Sequence, residues 1–115
     1  MTDKKLHEWQ EKFVLKEDLT QGDFEALEMA LFKMPNIATM FRKADLSMVN
    51  GAYLRAAIQA GWIVEPECKS MVDDKDAVYI YDGTDVDQLH PAKVAWLGRK
   101  VVNLHDSVMA EDPKN

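Results

Sequence analysis

Few residues of this chain have the types and spacing that chemistry requires. Cys68 is the single thiol, and a reactive cysteine needs nearby positive charge to favour its thiolate. Its charged neighbours Glu65, Glu67 and Lys69 are mostly of the wrong sign, so we predict that Cys68 is inert. One cysteine also cannot form an internal disulfide.

The three histidines, His7, His90 and His105, lie far apart in the sequence. None belongs to a metalloprotease pair or to a zinc spacing of cysteines and histidines. The simplest interpretation makes His90 the cap of the last helix and His105 a residue at the edge of its apolar seam. We predict no metal site from the histidines.

The acidic run from Asp82 to Asp87 is the best candidate for a cation site. A calcium-binding EF-hand loop has acids at alternate positions, glycine at the sixth and glutamate at the twelfth. Here glycine is second, as Gly83, and Lys93 is twelfth. A weak cation site remains an alternative, but we favour a solvated hairpin turn.

No motif predicts catalysis or a cofactor. The five glycines are isolated, so no glycine-rich loop exists to hold phosphates, and no nucleophile elbow is present. Nothing marks a pocket with convergent polar groups, which an enzyme needs. We predict a non-enzymatic protein without a cofactor or metal.

The N-terminal segment has the pattern of a partner-binding helix. Leu6, Trp9 and Phe13 follow the spacing of one helix face, and an amphipathic segment with aromatic anchors docks in a partner's groove. The alternative is that these side chains pack on their own domain, because aromatic residues mostly serve cores.

The negative charge is a local feature. The chain has 115 residues and a net charge of −6. Residues 65–87 hold eight acids and two bases, and the rest of the chain is balanced. This argues against nonspecific nucleic-acid binding, which needs a cationic surface. These carboxylates could attract a basic partner protein. The alternative is that they keep a solvated loop soluble. The candidates for partner binding are Asp73, Asp74, Asp76, Asp82, Asp85 and Asp87.

Composition predicts one globular domain. Apolar residues make up 47% and charged residues 30% of the chain, which is ordinary for a folded domain of this length. The uninterrupted apolar runs are too short for a transmembrane helix, and the first residues do not resemble a signal peptide. We therefore expect a soluble, intracellular protein.

Periodicity and capping residues predict four or five helices. A first helix is expected over 3–11, and Thr20 should cap a second that runs to about Lys33. A short helix is predicted over 37–44, and Ser47 should cap another over 48–60 that ends at Gly61. The last helix should start at Pro91, with an apolar seam of Val94, Leu97, Val101, Leu104 and Val108.

Two segments have the composition of strands. Residues 62–65 and 77–81 are predicted to pair as an antiparallel hairpin, and Asp82-Gly83 should form a turn. The hairpin must pack on the helices or gain a third strand, for which 13–16 is the candidate. The fold class is therefore a compact, mainly helical α+β single domain, 1–115. Within it we expect an N-terminal arm over 1–17, an acidic loop over 66–76 and a frayed C-terminus over 111–115.

Three sequence segments, 54–63, 86–97 and 112–115, together resemble small proteins encoded among the structural genes of tailed bacteriophages and prophages. The closest class is the tail assembly chaperone-like proteins. The resemblance covers roughly 47–115 and implies a small, acidic, mainly helical protein that holds the tape-measure protein or tail subunits before assembly.

These observations lead to one functional hypothesis and one alternative. The first is a bacteriophage assembly accessory protein that binds another phage structural or tail protein, with the C-terminal seam open to self-association. Its expected location is the host cytoplasm, with association with the virion as the alternative. Under this hypothesis, the protein contacts neither nucleic acid nor a membrane directly. The alternative is an acidic protein that mimics nucleic acid and inhibits a basic host protein.

Overall fold

The computed structural model describes residues 13–34, 46–73 and 76–110, with 46–48 described by their backbone. Three α-helices and five short strands follow one another along these ranges. In chain order, the elements are β1 (Val14–Leu15), α1 (Gln21–Phe32), α2 (Leu46–Ala60), β2 (Ile63–Glu65), β3 (Cys68–Val72), β4 (Ala77–Tyr81), β5 (Thr84–Asp85), a 3-10 helix (Val86–Gln88) and α3 (Pro91–Ala110).

The start of α1 confirms the predicted capping box. The Thr20 hydroxyl accepts the backbone N–H of Asp23 at 3.2 Å, and the Asp23 carboxylate accepts the N–H of Thr20 at 3.0 Å. Two N–H groups that the first helical turn leaves without partners are thereby satisfied. The cap places the buried side chains of Leu27 and Leu31 toward α2.

Helix α2 is buried on most of its surface. Its alanines permit close contact with its neighbours, and Ala56 and Ala57 are fully buried. Gly61 follows the helix with a φ of 75°, the left-handed conformation expected of a residue after a helix C-terminus. The predicted cap Ser47 is wrong, because the helix begins one residue earlier, at Leu46.

Helix α3 begins at Pro91, as predicted, and His90 caps it. The His90 Nδ1 atom accepts the N–H of Ala92 at 3.1 Å. Two residues of the predicted seam, Leu97 and Val101, are fully buried. Val101 belongs to one core group and Leu97 to the other, and both groups contain residues of α2. The middle of the seam therefore serves the core of this chain.

The predicted hairpin between 62–65 and 77–81 is wrong. Strand β2 pairs antiparallel with β1 in a two-stranded sheet. The antiparallel partner of β4 is β3, from Cys68↔Tyr81 to Val72↔Ala77. This pairing needs only the short connection over 73–76, so it closes a smaller loop than the predicted hairpin.

The predicted acidic loop over 66–76 therefore contains a strand. Within β3, Lys69 is the single charged residue, and the acids lie in the segments that flank it. The predicted third strand from 13–16 exists as β1, but it joins β2 rather than the β3–β4 sheet. Strand β5 completes that sheet, through the predicted Asp82-Gly83 turn.

Two groups of buried side chains form the core. One lies between α1, α2 and α3 and includes the fully buried Trp62. The other lies between α2, α3 and the inner face of the β3–β4–β5 sheet, where Tyr79 and Tyr81 are buried. The Trp62 Nε1–H donates to the backbone carbonyl of Asp23 at 2.8 Å, so the first group also fixes the start of α1.

The fold is α+β, as predicted, with two small antiparallel sheets in place of one hairpin. The described residues contain three α-helices, fewer than the predicted four or five. The predicted helices over 3–11 and 37–44 lie outside the described ranges. None of the described helices is both long enough and apolar enough to cross a membrane.

Candidate protein-binding groove

Two openings lie beside α3. The first has a volume of about 280 Å³ and is lined by Phe13, Leu15, Trp96 and Lys100. Phe13 precedes β1 and Leu15 ends it, and both side chains line this opening. The pairing of β1 with β2 is irregular between Val14 and Leu15, so regular strand alternation does not apply here. The Lys100 Nζ atom lies 5.1 Å from the centre of the Trp96 ring, which combines an apolar wall with a positive charge.

The second opening lies toward the C-terminal end of α3. It has a volume of about 470 Å³, with Leu19, Leu104 and Val108 as its apolar side chains. Glu17 and Asp18 contribute carboxylates to its lining. Both acids are exposed, so this opening has a negative rim.

The two openings follow one another along α3. Trp96, Lys100, Leu104 and Val108 are spaced four residues apart, so each is the neighbour of the next on the helix surface. The row turns gradually around the helix, by about 40° at each step. The distance from the first to the last is about 18 Å at 1.5 Å per residue. The opposite wall is formed by residues 13–20. The α3 groove, as we call it, consists of both openings.

Phe13 is the one described residue of the predicted aromatic segment. Its ring lies 6.0 Å from the Trp96 ring and 6.2 Å from the Tyr81 ring, measured between centroids. Phe13 thus packs on its own domain and also lines the α3 groove. Leu6, Trp9 and most of the predicted arm 1–17 lie outside the described residues.

The acids of the β3–β4 connection stabilise a turn. The Asp73 carboxylate accepts the backbone N–H of Asp76 at 2.7 Å, and the N–H of Asp73 donates to the carbonyl of Asp76 at 3.2 Å. Both residues are exposed. Asp74 lies outside the described residues.

The remaining candidate acids follow β4. Asp82 is the first residue of the turn, with a φ of 51°. The Asp85 carboxylate accepts the N–H of Asp87 at 2.9 Å and caps the 3-10 helix. The Asp87 carboxylate forms an ion pair with Arg55, at 2.6 Å between oxygen and nitrogen. Within the described ranges, no three acidic, histidine or cysteine side chains are grouped so that they would hold a metal ion.

Cys68 and His105 are both half-buried. Burial raises the pKa of the Cys68 thiol, which disfavours the thiolate, and the thiol donates to the Pro66 carbonyl. His105 stacks on Phe24 at 5.0 Å between ring centroids. Its Nδ1 atom lies 3.3 Å from the Tyr53 hydroxyl oxygen. His105 therefore connects α3 to α1 and α2, more centrally than the edge of a seam.

Sequence reasoning found part of the α3 groove and missed the rest. Helical spacing predicted partner-binding roles for Phe13, Leu104 and Val108. It did not predict such roles for Leu15, Trp96 and Lys100. The spacing of four residues from Trp96 to Lys100 and on to Leu104 could have indicated that Trp96 and Lys100 belong to the same surface. The position of Leu15 opposite these side chains depends on strand β1 and has no local signal.

Comparisons of the chain with protein-family models, with curated proteins and with solved structures found no match.

Proposed function

We propose that this chain is a non-enzymatic bacteriophage assembly accessory protein, of the tail assembly chaperone type, that binds another phage protein in the cytoplasm of the bacterial host. The observation that carries the proposal is the α3 groove, with its apolar walls and charged side chains. The resemblance of residues 47–115 to small phage proteins supports the choice of partner.

The α3 groove suits a helical segment of the client. An amphipathic helix binds a groove through apolar residues spaced three and four apart, and the groove's length of about 18 Å matches about three helical turns. Lys100 would face an acidic residue of the client, and Glu17 with Asp18 would face basic residues. A tape-measure protein or a tail subunit held before assembly is the client that we propose.

Co-purification with the tail proteins encoded beside this chain, all at native expression level, tests the proposal. We expect one of them to be retained by the wild type. Val108→Lys places a charge in the groove and should weaken retention about tenfold or more, because the apolar burial of a valine is lost. Met109→Lys is the matched control, because Met109 is the next residue of α3 and is 63% exposed.

Two results would sink the proposal. One is that the folded wild type retains none of the neighbouring tail proteins. The other is that Val108→Lys and Met109→Lys reduce retention equally, which would place the client elsewhere. Sedimentation of both variants separates client binding from self-association through Leu104 and Val108, because only self-association changes the mass of the isolated protein.

A second candidate function is an acidic protein that binds and inhibits a basic host protein. The observation in its favour is that carboxylates around the β3–β4–β5 sheet are exposed, among them Glu67, Asp76 and Asp82. A complex made by such charges weakens steeply as salt screens them. An affinity for a basic nucleic-acid-binding protein that does not change between low and high salt would rule this function out.

A further inference from the structure

The outer face of the β3–β4–β5 sheet is apolar where a solvated sheet face is ordinarily polar. Tyr79 and Tyr81 point inward to the core, so alternation along β4 turns Val78 and Ile80 outward. The register places Met71 opposite Val78 and Lys69 opposite Ile80. Met71 is 58% exposed, and Val78 and Ile80 are half-buried.

Strand β3 adds an edge to this face. The sheet order is β3-β4-β5, so β3 pairs on one side only among the described strands. Its five residues pair with β4 in continuous register, which leaves the edge regular. An unpaired edge of this kind is a template for another strand. Lys69 is the one charged side chain in β3, and such a lysine limits unspecific pairing between edges.

Acidic residues surround the apolar centre. Glu67 precedes β3, and Asp73 with Asp76 follows it; all three are exposed. Asp82 lies in the turn after β4, and Asp85 is opposite Ile80 in β5. We give the name sheet docking surface to Met71, Val78, Ile80 and these acids, together with the edge of β3 that pairs with none of the described strands.

We propose that the sheet docking surface binds an extended, basic segment of a partner protein, which adds to β3 as a further strand. Its apolar side chains would contact Met71, Val78 and Ile80, and its lysines or arginines would face the surrounding carboxylates. The residue opposite Lys69 would be apolar or acidic.

The charges favour a basic partner over a second copy of the chain. If two copies paired antiparallel through β3, centred on Ser70, Glu67 of each would lie opposite Asp73 of the other. Like charges directly opposite across two strands are destabilising. A basic strand removes this repulsion and gains attraction at both ends of β3.

A pair of labelled peptides tests the proposal on the full chain. Both peptides have about seven residues, within the usual range of strand lengths, with valines at the third and fifth positions and serines at the second, fourth and sixth. One has lysine at its first and last positions and the other has glutamate there, so that the charged residues share a face with the valines. We expect the basic peptide to bind at least about tenfold more tightly than the acidic one, because it complements the carboxylates. Strand addition also predicts slower hydrogen exchange at backbone amides of 68–72, which charge attraction alone would not produce.

Met71→Ser and Met109→Ser form a matched pair of variants. Both methionines are exposed, at 58% and 63%, so both variants should fold. Met71→Ser should weaken binding of the basic peptide about tenfold, the loss expected when one apolar side chain no longer contacts the ligand. Met109→Ser should leave it unchanged.

The proposal is overturned if neither peptide binds, if both bind equally, or if the two serine variants behave alike. It is also overturned if sedimentation finds a dimer that Met71→Ser dissociates, because the occupant is then a second copy. The α3 groove is not involved in any of these outcomes, since none of its residues belongs to the sheet docking surface.

Discussion

Asp23 holds the start of α1 through its carboxylate. The N–H of Thr20 and the ammonium of Lys16 both donate to it, each at 3.0 Å. The backbone hydrogen bond from Thr20, followed by that from Lys16, lowers the pKa of Asp23 below its ordinary value of 3.8. Both donors favour the ionised form.

We predict that Asp23→Asn removes a pH-dependent part of the stability. A lowered pKa in the folded state contributes stability that is present above pH 3.8 and is lost as the pH falls through the folded-state pKa. The difference in unfolding free energy between wild type and Asp23→Asn should therefore shrink on acidification below that pH. Urea unfolding at a series of pH values measures it. A difference that does not change with pH would contradict this role.

Gly83 has a left-handed backbone conformation, which costs free energy for a residue with a side chain. With φ values of 51° and 78°, Asp82 and Gly83 form the two-residue turn between β4 and β5. Asp-Gly is a preferred pair for such a turn because both central residues need positive φ.

Gly83→Ala should destabilise the protein by about 1–2 kcal/mol, the cost of left-handed backbone for an L-residue. Gly22→Ala is the control, because a Cβ there would lie an ordinary 3.7 Å from Thr20 Oγ1. That variant should be neutral or stabilising, since alanine favours helix. Urea unfolding of both variants measures the effect, and equal destabilisation would refute the conformational explanation.

At the scale of elements, α2 and α3 approach each other at backbone distance. A Cβ added to Gly98 would collide with the backbone carbonyl of Asn50, and Asn50 is itself buried. This contact lies between Leu97 and Val101, the fully buried residues of the α3 seam. The glycine therefore sets how closely the two helices pack.

Gly98→Ala should cost about 1–3 kcal/mol or more, because the two helices must separate to admit the methyl group. Gly51→Ala, on the facing helix, is the matched control. Its Cβ would meet Arg55 Nη1 at 3.2 Å, the end of a flexible side chain that moves aside. Thermal unfolding should show a large loss for Gly98→Ala and little change for Gly51→Ala. Equal losses would mean that α2 and α3 do not pack in this way.

At the scale of the whole molecule, the three tyrosines report on the integrity of the core. Burial raises the pKa of Tyr53, Tyr79 and Tyr81 above the ordinary 10.0. The carboxylates of Asp106 and Glu28 add to the effect at Tyr53. The chain has no other tyrosine, so the ultraviolet titration of the protein reports these three groups alone.

We predict that alkaline titration and unfolding are coupled. A raised pKa in the folded state contributes stability that is complete below pH 10 and is lost as the pH rises through the folded-state pKa. Tyrosinate absorbance should therefore rise later than in urea-unfolded protein and together with the loss of helical circular dichroism. A tyrosine that ionises at its ordinary pKa while the helices remain intact would contradict the buried positions.

The sequence by itself determined the features that depend on neighbouring residues. The Thr20 capping box, the start of α3 at Pro91, the conformation of Gly61 and the Asp82-Gly83 turn are local, because the interacting groups are a few residues apart. The strand character of 77–81 and the local excess of acids from 65 to 87 are likewise read directly from residue types.

Only the tertiary structure decided which of these elements meet. The pairing of β4 with β3, the contact of Gly98 with Asn50 and the position of Leu15 across from Trp96 join residues that no local pattern connects. The same holds for the two candidate surfaces, since each is assembled from separate segments. Their existence depends on how the segments close on one core, where many weak nonlocal contacts together outweigh local preference.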